Sequence, residues 1–153
     1  HTMCHICLCA RGRSSGEKPA LFSGDTLFNA GAGNCHNGGH PEALYETFAN
    51  QLSRLPEDTR IFPGHDYMAN NLRFTLAREP DNAEAAAMLG RLEHQDPANA
   101  YVSTLAVERE INTFFRLSSP TVIAKLREAF PDLPEKPDAK TVFIKLRELR
   151  NKW

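Results

Sequence analysis

Two imidazoles and one carboxylate stand at the junctions where apolar runs give way to loops: His1, Asp25 and His65. Two His and an Asp are a standard ligand set for zinc, iron or manganese, and the carboxylate is able to bridge two ions. Separations of 24 and 40 residues exclude a single helix or turn as their source. Each must arrive from its own strand end, which is how sheet proteins build metal sites. Plainer roles exist for the same side chains: a helix N-cap for Asp25 and a hydrogen-bonded turn for His65.

The elements that would position them are legible. In Leu21-Phe22-Ser23-Gly24-Asp25-Thr26-Leu27-Phe28 an apolar run ends in glycine and an aspartate follows at once. A buried strand delivers a carboxylate to the rim of a sheet in that way. Thr59 to Phe62 repeats the pattern, closed by Pro63-Gly64 before His65. His5 to Ala10 and Pro19 to Ser23 read as strands joined by a polar turn over Arg11 to Lys18, with Gly12, Ser14, Ser15 and Gly16, so the pair reads as a hairpin. Asn29 to His40 carries four glycines, 31, 33, 38 and 39, with Asn34 and Asn37. Such a loop lets backbone approach a ligand closely, or simply turns. Pro41 opens a helix whose face is Leu44, Phe48, Leu52 and Leu55.

From Asp66 onward the pattern is helical. Leu72 and Leu76 mark one helix, ending near Pro80. Ala85, Met88, Leu89 and Leu92 mark the next, begun by Asp81 or Asn82. Thr104, Ser119 and Asp138 stand as N-caps of three more. Three short strands under one helix make a poor core by themselves and read as half of a layered α/β domain.

The 153 residues, 41% hydrophobic and 24% charged, describe a globular protein with no apolar run near the roughly 20 residues of a membrane span. The start, His-Thr-Met-Cys-His, is neither a signal nor a transit peptide. Cys4, Cys7, Cys9 and Cys35 make no regular disulfide framework, and reduced thiols in a cytoplasmic setting are expected. Net charge is −1, unevenly spread: 8 Lys/Arg against 12 Asp/Glu over residues 1–100, and 10 against 7 over 101–153. An acidic front suits a metal and a basic tail an anionic ligand, although solvated helix faces give the same numbers. His5, His40 and His94 read as structural or surface residues, His36 as nearer the site, and Cys35 as a loop thiol.

His1-Thr2-Met3-Cys4-His5-Ile6-Cys7, Phe22 to Gly31 and Pro63-Gly64-His65-Asp66-Tyr67 closely resemble successive motifs of the glyoxalase II family, the hydroxyacylglutathione hydrolases of the metallo-β-lactamase fold. Asn70 to Phe74 with Glu79-Pro80, Ser103-Thr104-Leu105 with Glu108 and Asn112, and Leu146 to Trp153 extend the match along the chain in order. The resemblance implies the C-terminal half of an αββα sandwich (residues 1–80) followed by an all-helical substrate-binding domain (81–153). It implies a dinuclear centre of zinc, iron or manganese in which His1 and His65 each bind one ion and Asp25, the catalytic carboxylate, bridges both. It implies a glutathione thioester as substrate, contacted by Tyr67 and gripped at its glycine carboxylate by Arg147 and Arg150, with no nucleic-acid or membrane partner.

The sequence departs from the family in three places. The family's leading Thr-His-x-His-x-Asp-His motif is absent, so the chain on its own is expected not to turn over substrate. Asn34, Cys35 and His36 stand where the family commonly has Lys or Arg and an aromatic pair; Asn34 and His36 are carried as substrate-binding candidates, with room for a different thiol carrier. Cys4 replaces a usual glycine. Two other readings stay open: a persulfide dioxygenase-like iron protein, against which the long helical tail argues, and a non-catalytic remnant that self-associates through exposed strand edges.

Overall fold

A computed structural model describes residues 1–12, 14, 16–92, 94–96 and 100–153. Ser15, part of the expected polar turn, lies outside the described residues. A hairpin of β1 (Leu8–Ala10) and β2 (Ala20–Gly24) comes first, antiparallel with Leu8 opposite Phe22. The expected first strand is shorter than read, since residues 5–7 precede it. A small second sheet follows, β3 (Leu27–Phe28) with β4 (Gly31–Ala32), the latter inside the stretch read as a loop. Its two-residue strands are too short to leave an alternating pattern in the sequence.

Helix α1 (Pro41–Asn50) then crosses over to β5 (Arg60–Pro63), which pairs in parallel with β2. The helix is shorter than its apolar face implied. Leu44 and Phe48 are buried on it, while Leu52 is buried from a 3-10 turn at Leu52–Arg54. After β5 come α2 (Met68–Arg78), α3 (Ala83–Leu92), β6 (Ser103–Thr104), α4 (Leu105–Ile111), α5 (Pro120–Ala129) and α6 (Ala139–Arg150). The caps are as read: Thr104, Ser119 and Asp138 each accept from the backbone N–H three residues on. Asn82, not Asp81, begins α3, its Oδ1 accepting from the Ala85 N–H at 2.9 Å.

The larger sheet runs β1-β2-β5-β6, and its last strand comes from the mainly helical part of the chain. One core cluster joins Leu21 and Ile61 of the sheet to Leu44 and Phe48 of α1 and to Val142, Phe143 and Leu146 of α6. Phe48, Phe114 and Phe143 pack at ring separations of 5.1 to 6.4 Å, and each such side chain contributes about 1.5–3 kcal/mol by burial. A second cluster holds Ala30 against Met68, Leu72, Ala85, Met88 and Ile111. The turn between β3 and β4 is therefore seated on the helical layer.

Candidate functional site

The β2–β5 ladder slips at its end. Leu21 faces Ile61 and Phe22 faces Phe62, but the next pair is Gly24 with Pro63, leaving Ser23 as a bulge. Buried Ser23 turns its Oγ to the Leu27 carbonyl at 2.7 Å, and the Thr26 N–H returns to the Ser23 carbonyl. This tight turn, with Gly24 at φ +50°, carries Asp25 out of the sheet beside the end of β5. No helix begins there, because β3 follows, so the N-cap alternative for Asp25 falls. Gly64 lies so close that a Cβ on it would meet Asp25 Oδ1 at 2.8 Å.

The three expected ligands meet around that carboxylate. His1 Nε2 is 3.7 Å from Oδ2 and His65 Nε2 is 3.5 Å from Oδ1. His1 Nδ1 lies 2.9 Å from the Asn34 carbonyl. A carbonyl only accepts, so Nδ1 holds a proton, the arrangement that orients metal-binding imidazoles, and Nε2 faces Asp25. Two acceptors facing each other repel unless a proton or cation stands between them. A zinc ion at ordinary bond lengths and a tetrahedral angle spaces its N and O ligands about 3.4 Å apart. Both separations are within a few tenths of that value. Among the described residues no group of three or more His, Cys, Asp and Glu side chains is arranged to hold an ion. Each oxygen of the Asp25 carboxylate faces one imidazole.

Beside this centre the ring of His65 stacks on Tyr67 at 5.3 Å, and Phe28 meets Tyr67 edge-on at 5.1 Å. Phe28 and Tyr67 form one wall of a cavity of about 240 Å³. Its lining includes all five residues expected to contact substrate: Asn34, His36, Tyr67, Arg147 and Arg150. Asn34 Oδ1 accepts from the His36 N–H at 3.1 Å, so part of its polar capacity is used inside the loop.

The two arginines differ. Arg147 is only 3% exposed, and its Nη1 donates to the carbonyls of Ala32 (2.7 Å) and Gly33 (3.1 Å). Burial, and then the charge of Arg150, push the Arg147 guanidinium down to about 10. Arg150 is more open, donating from Nη2 to Asn71 Oδ1 at 3.1 Å, and burial lowers it as well. No carboxylate contributes to either shift. The Cys35 thiol, the smallest of the causes, acts the other way and raises Arg147.

Asn71, Phe28 and Trp153 line the cavity without having been expected there. Asn71 left a trace, a polar side chain on the apolar stripe beside Leu72. Trp153 sits edge-on to Phe74 at 5.6 Å, which fastens the end of the chain to α2.

Comparison with known proteins identifies the family. The family described as "Hydroxyacylglutathione hydrolase C-terminus" matches residues 66–153. A hydroxyacylglutathione hydrolase of Polaromonas sp. is 70% identical over the whole chain, covering 57% of its own length. Another, of Nitrosococcus oceani, is 67% identical with the same coverage. The Arabidopsis thaliana protein named "Hydroxyacylglutathione hydrolase cytoplasmic" is 36% identical over 99% of the chain and 55% of its own length. The chain thus spans little more than half the length of the relatives it matches, and it belongs to the hydroxyacylglutathione hydrolase family.

Proposed function

We propose that this chain carries the carboxylate bridge and the thiol-carrier pocket of a metal-dependent thioester hydrolase acting on S-2-hydroxyacylglutathione. The observation that carries this reading is the position of Asp25, between His1 and His65 and one aromatic wall away from a cavity lined by two arginines. A pair of divalent ions bound there would lower the pKa of a water and polarise the thioester carbonyl. The chain's own residues do the rest. Arg150, and the side of Arg147 not used on backbone, hold the carrier's carboxylate. Tyr67 and Phe28 wall the pocket next to His65, so the carrier's sulfur end lies toward the Asp25 carboxylate. His1, fixed by the Asn34 carbonyl, keeps its Nε2 aimed at the same place.

His1 and His65 with the two Asp25 oxygens would offer each ion one imidazole and one carboxylate oxygen, fewer than the three or four protein ligands usual for such centres. The isolated chain is therefore expected to bind the carrier but not to turn over substrate. Metal analysis with a turnover assay on S-lactoylglutathione tests this; two tightly held metals with clear turnover would overturn it. For architecture we propose a metallo-β-lactamase-type sandwich with a partial α/β region over 1–80 and a helical substrate-binding region over 81–153. An uncovered sheet face, with Leu8 and Phe22 exposed, supports it. Four free cysteines support a reducing, cytoplasmic setting.

A second reading, self-association, rests on that same face, where Leu8 and Phe22 are exposed, with Met3 and Ile6 exposed in the residues before β1. A clean monomer by light scattering would remove it.

A further inference from the structure

The turn between β3 and β4 is tied to both arginines. Ala32 and Gly33 accept from Arg147, while Asn71 donates from Nδ2 to the Asn29 carbonyl at 2.9 Å and accepts from Arg150 on Oδ1. On the opposite side the apex of the same turn is pinned by one buried carboxylate. Glu108, 0% exposed on α4, accepts from the Ala30 N–H at 2.8 Å through Oε2. Oε2 also takes the Asn112 amide at 2.9 Å, and that amide reaches the Gly31 carbonyl at 3.1 Å. Ala30 is held at φ +56°, a conformation that costs a non-glycine residue about 1–2 kcal/mol and persists where neighbours impose it.

We infer that Glu108 is a positioning residue for the carrier pocket: through Ala30 it sets the turn from which both guanidinium groups are hung. This rests on the proposed pocket function only for the identity of the ligand.

Glu108 also has two satisfied protonation states. As a carboxylate it accepts from Ala30 and Asn112 on Oε2 and from the Ser103 hydroxyl on Oε1 at 2.7 Å. Protonated on Oε1, it would donate to Ser103 Oγ, which can turn its own hydrogen to the Thr104 carbonyl at 3.3 Å. No buried polar atom is orphaned by the change, yet the bond from Ala30 weakens, because a charged acceptor binds an N–H more strongly than a neutral one. Burial without a cation pushes the group up to about 7, against the hydrogen bonds from Ser103, Asn112 and Ala30. The charged and titratable neighbours are few. The Tyr101 phenol feels the Glu108 charge, and Arg91 of α3 acts on Tyr101. α2 presents neutral Asn71 and Leu72 toward the turn.

The test uses Trp153, the chain's one tryptophan, which lines the pocket. Its fluorescence follows binding of S-methylglutathione from pH 5.5 to 8.5 in the wild type, Glu108→Gln and Ser103→Ala. Wild-type affinity should rise about fivefold across a break near neutral pH, an effect the size of one hydrogen bond. Glu108→Gln should lose the break and stay at the weaker level. Ser103→Ala, lacking a donor to the carboxylate, should keep the break at higher pH. An unchanged profile in Glu108→Gln would overturn the inference. Amide exchange over residues 28–33 without ligand decides it separately. Protection of Ala30 that follows the same break and vanishes in Glu108→Gln supports the inference even if S-methylglutathione fails to bind, a failure that counts against the pocket's proposed function alone. Identical exchange in both proteins refutes it.

Discussion

Asn71 and Arg150 are joined by a 3.1 Å hydrogen bond, and the other end of the same amide holds the Asn29 carbonyl at 2.9 Å. One buried side chain thus connects the solvent-facing cation of the pocket to the turn beneath it. Gly31 permits this, since a Cβ there would meet Asn71 Nδ2 at 2.5 Å.

Replacing Asn71 with Leu should leave the Asn29 carbonyl buried without a partner. The expected cost is about 1–3 kcal/mol in chemical denaturation. Carrier affinity should fall with it, because Arg150 loses its anchor. A variant with native stability and native affinity for S-methylglutathione would show that the bridge is incidental.

The arginines should separate stability from binding. Arg147→Ala removes donors to two buried carbonyls and is expected to cost about 2–4 kcal/mol, with the midpoint of urea unfolding as the readout. Arg150→Ala should unfold close to the wild-type midpoint yet bind a carboxylate-bearing thiol at least several-fold more weakly. Arg150→Lys should recover part of that affinity.

Two buried carboxylates give opposite pH dependences. Glu108 has its folded pKa raised to about 7 from 4.5, so its folded form holds a proton that the unfolded chain has released. Stability from this group is full below about 4.5 and falls as pH rises to about 7, by about 3 kcal/mol in all. Glu79 is the reverse. Burial pushes it up, but hydrogen bonds from Arg116, Ser119 and Asn82 outweigh burial and hold it below 4.5. Its contribution is present above that value and is lost as the pH drops through the lowered pKa. Thermal unfolding from pH 3 to 8 should show both slopes, and Glu108→Gln should flatten only the upper one.

Gly64→Ala should disturb the bridge without replacing any of the three side chains, since its Cβ would press on Asp25 Oδ1. Zinc affinity measured by equilibrium dialysis is expected to drop about tenfold or more, as for other changes around metal ligands. Equal zinc binding by the two proteins would mean that Asp25 is not the bridging group.

Much of this was readable from the residues because it rests on local rules. The caps at Thr104, Ser119 and Asp138, and the Gly-Asp and Gly-His strand exits, carry their chemistry in adjacent positions. The β3–β4 pair and β6 were not readable, since strands of two residues have no period and take their partners from far along the chain. Glu108 stood out with Ser103 and Asn112 in the family resemblance, but its contacts were hidden for a related reason. On α4 it falls in register with Leu105 and Ile111, so a charged residue occupies a core position, and only the fold shows which polar groups meet it there.

The bulge at Ser23 acts as an index mark on β2. Side chains alternate along a strand, so every position past the slip is displaced by one step relative to β5. Deleting Ser23 would restore an even ladder and exchange the faces of everything beyond it, turning the carboxylate away from both imidazoles while leaving each of the three residues intact in the sequence. The site is thus encoded as much by the spacing of this strand as by the identity of Asp25.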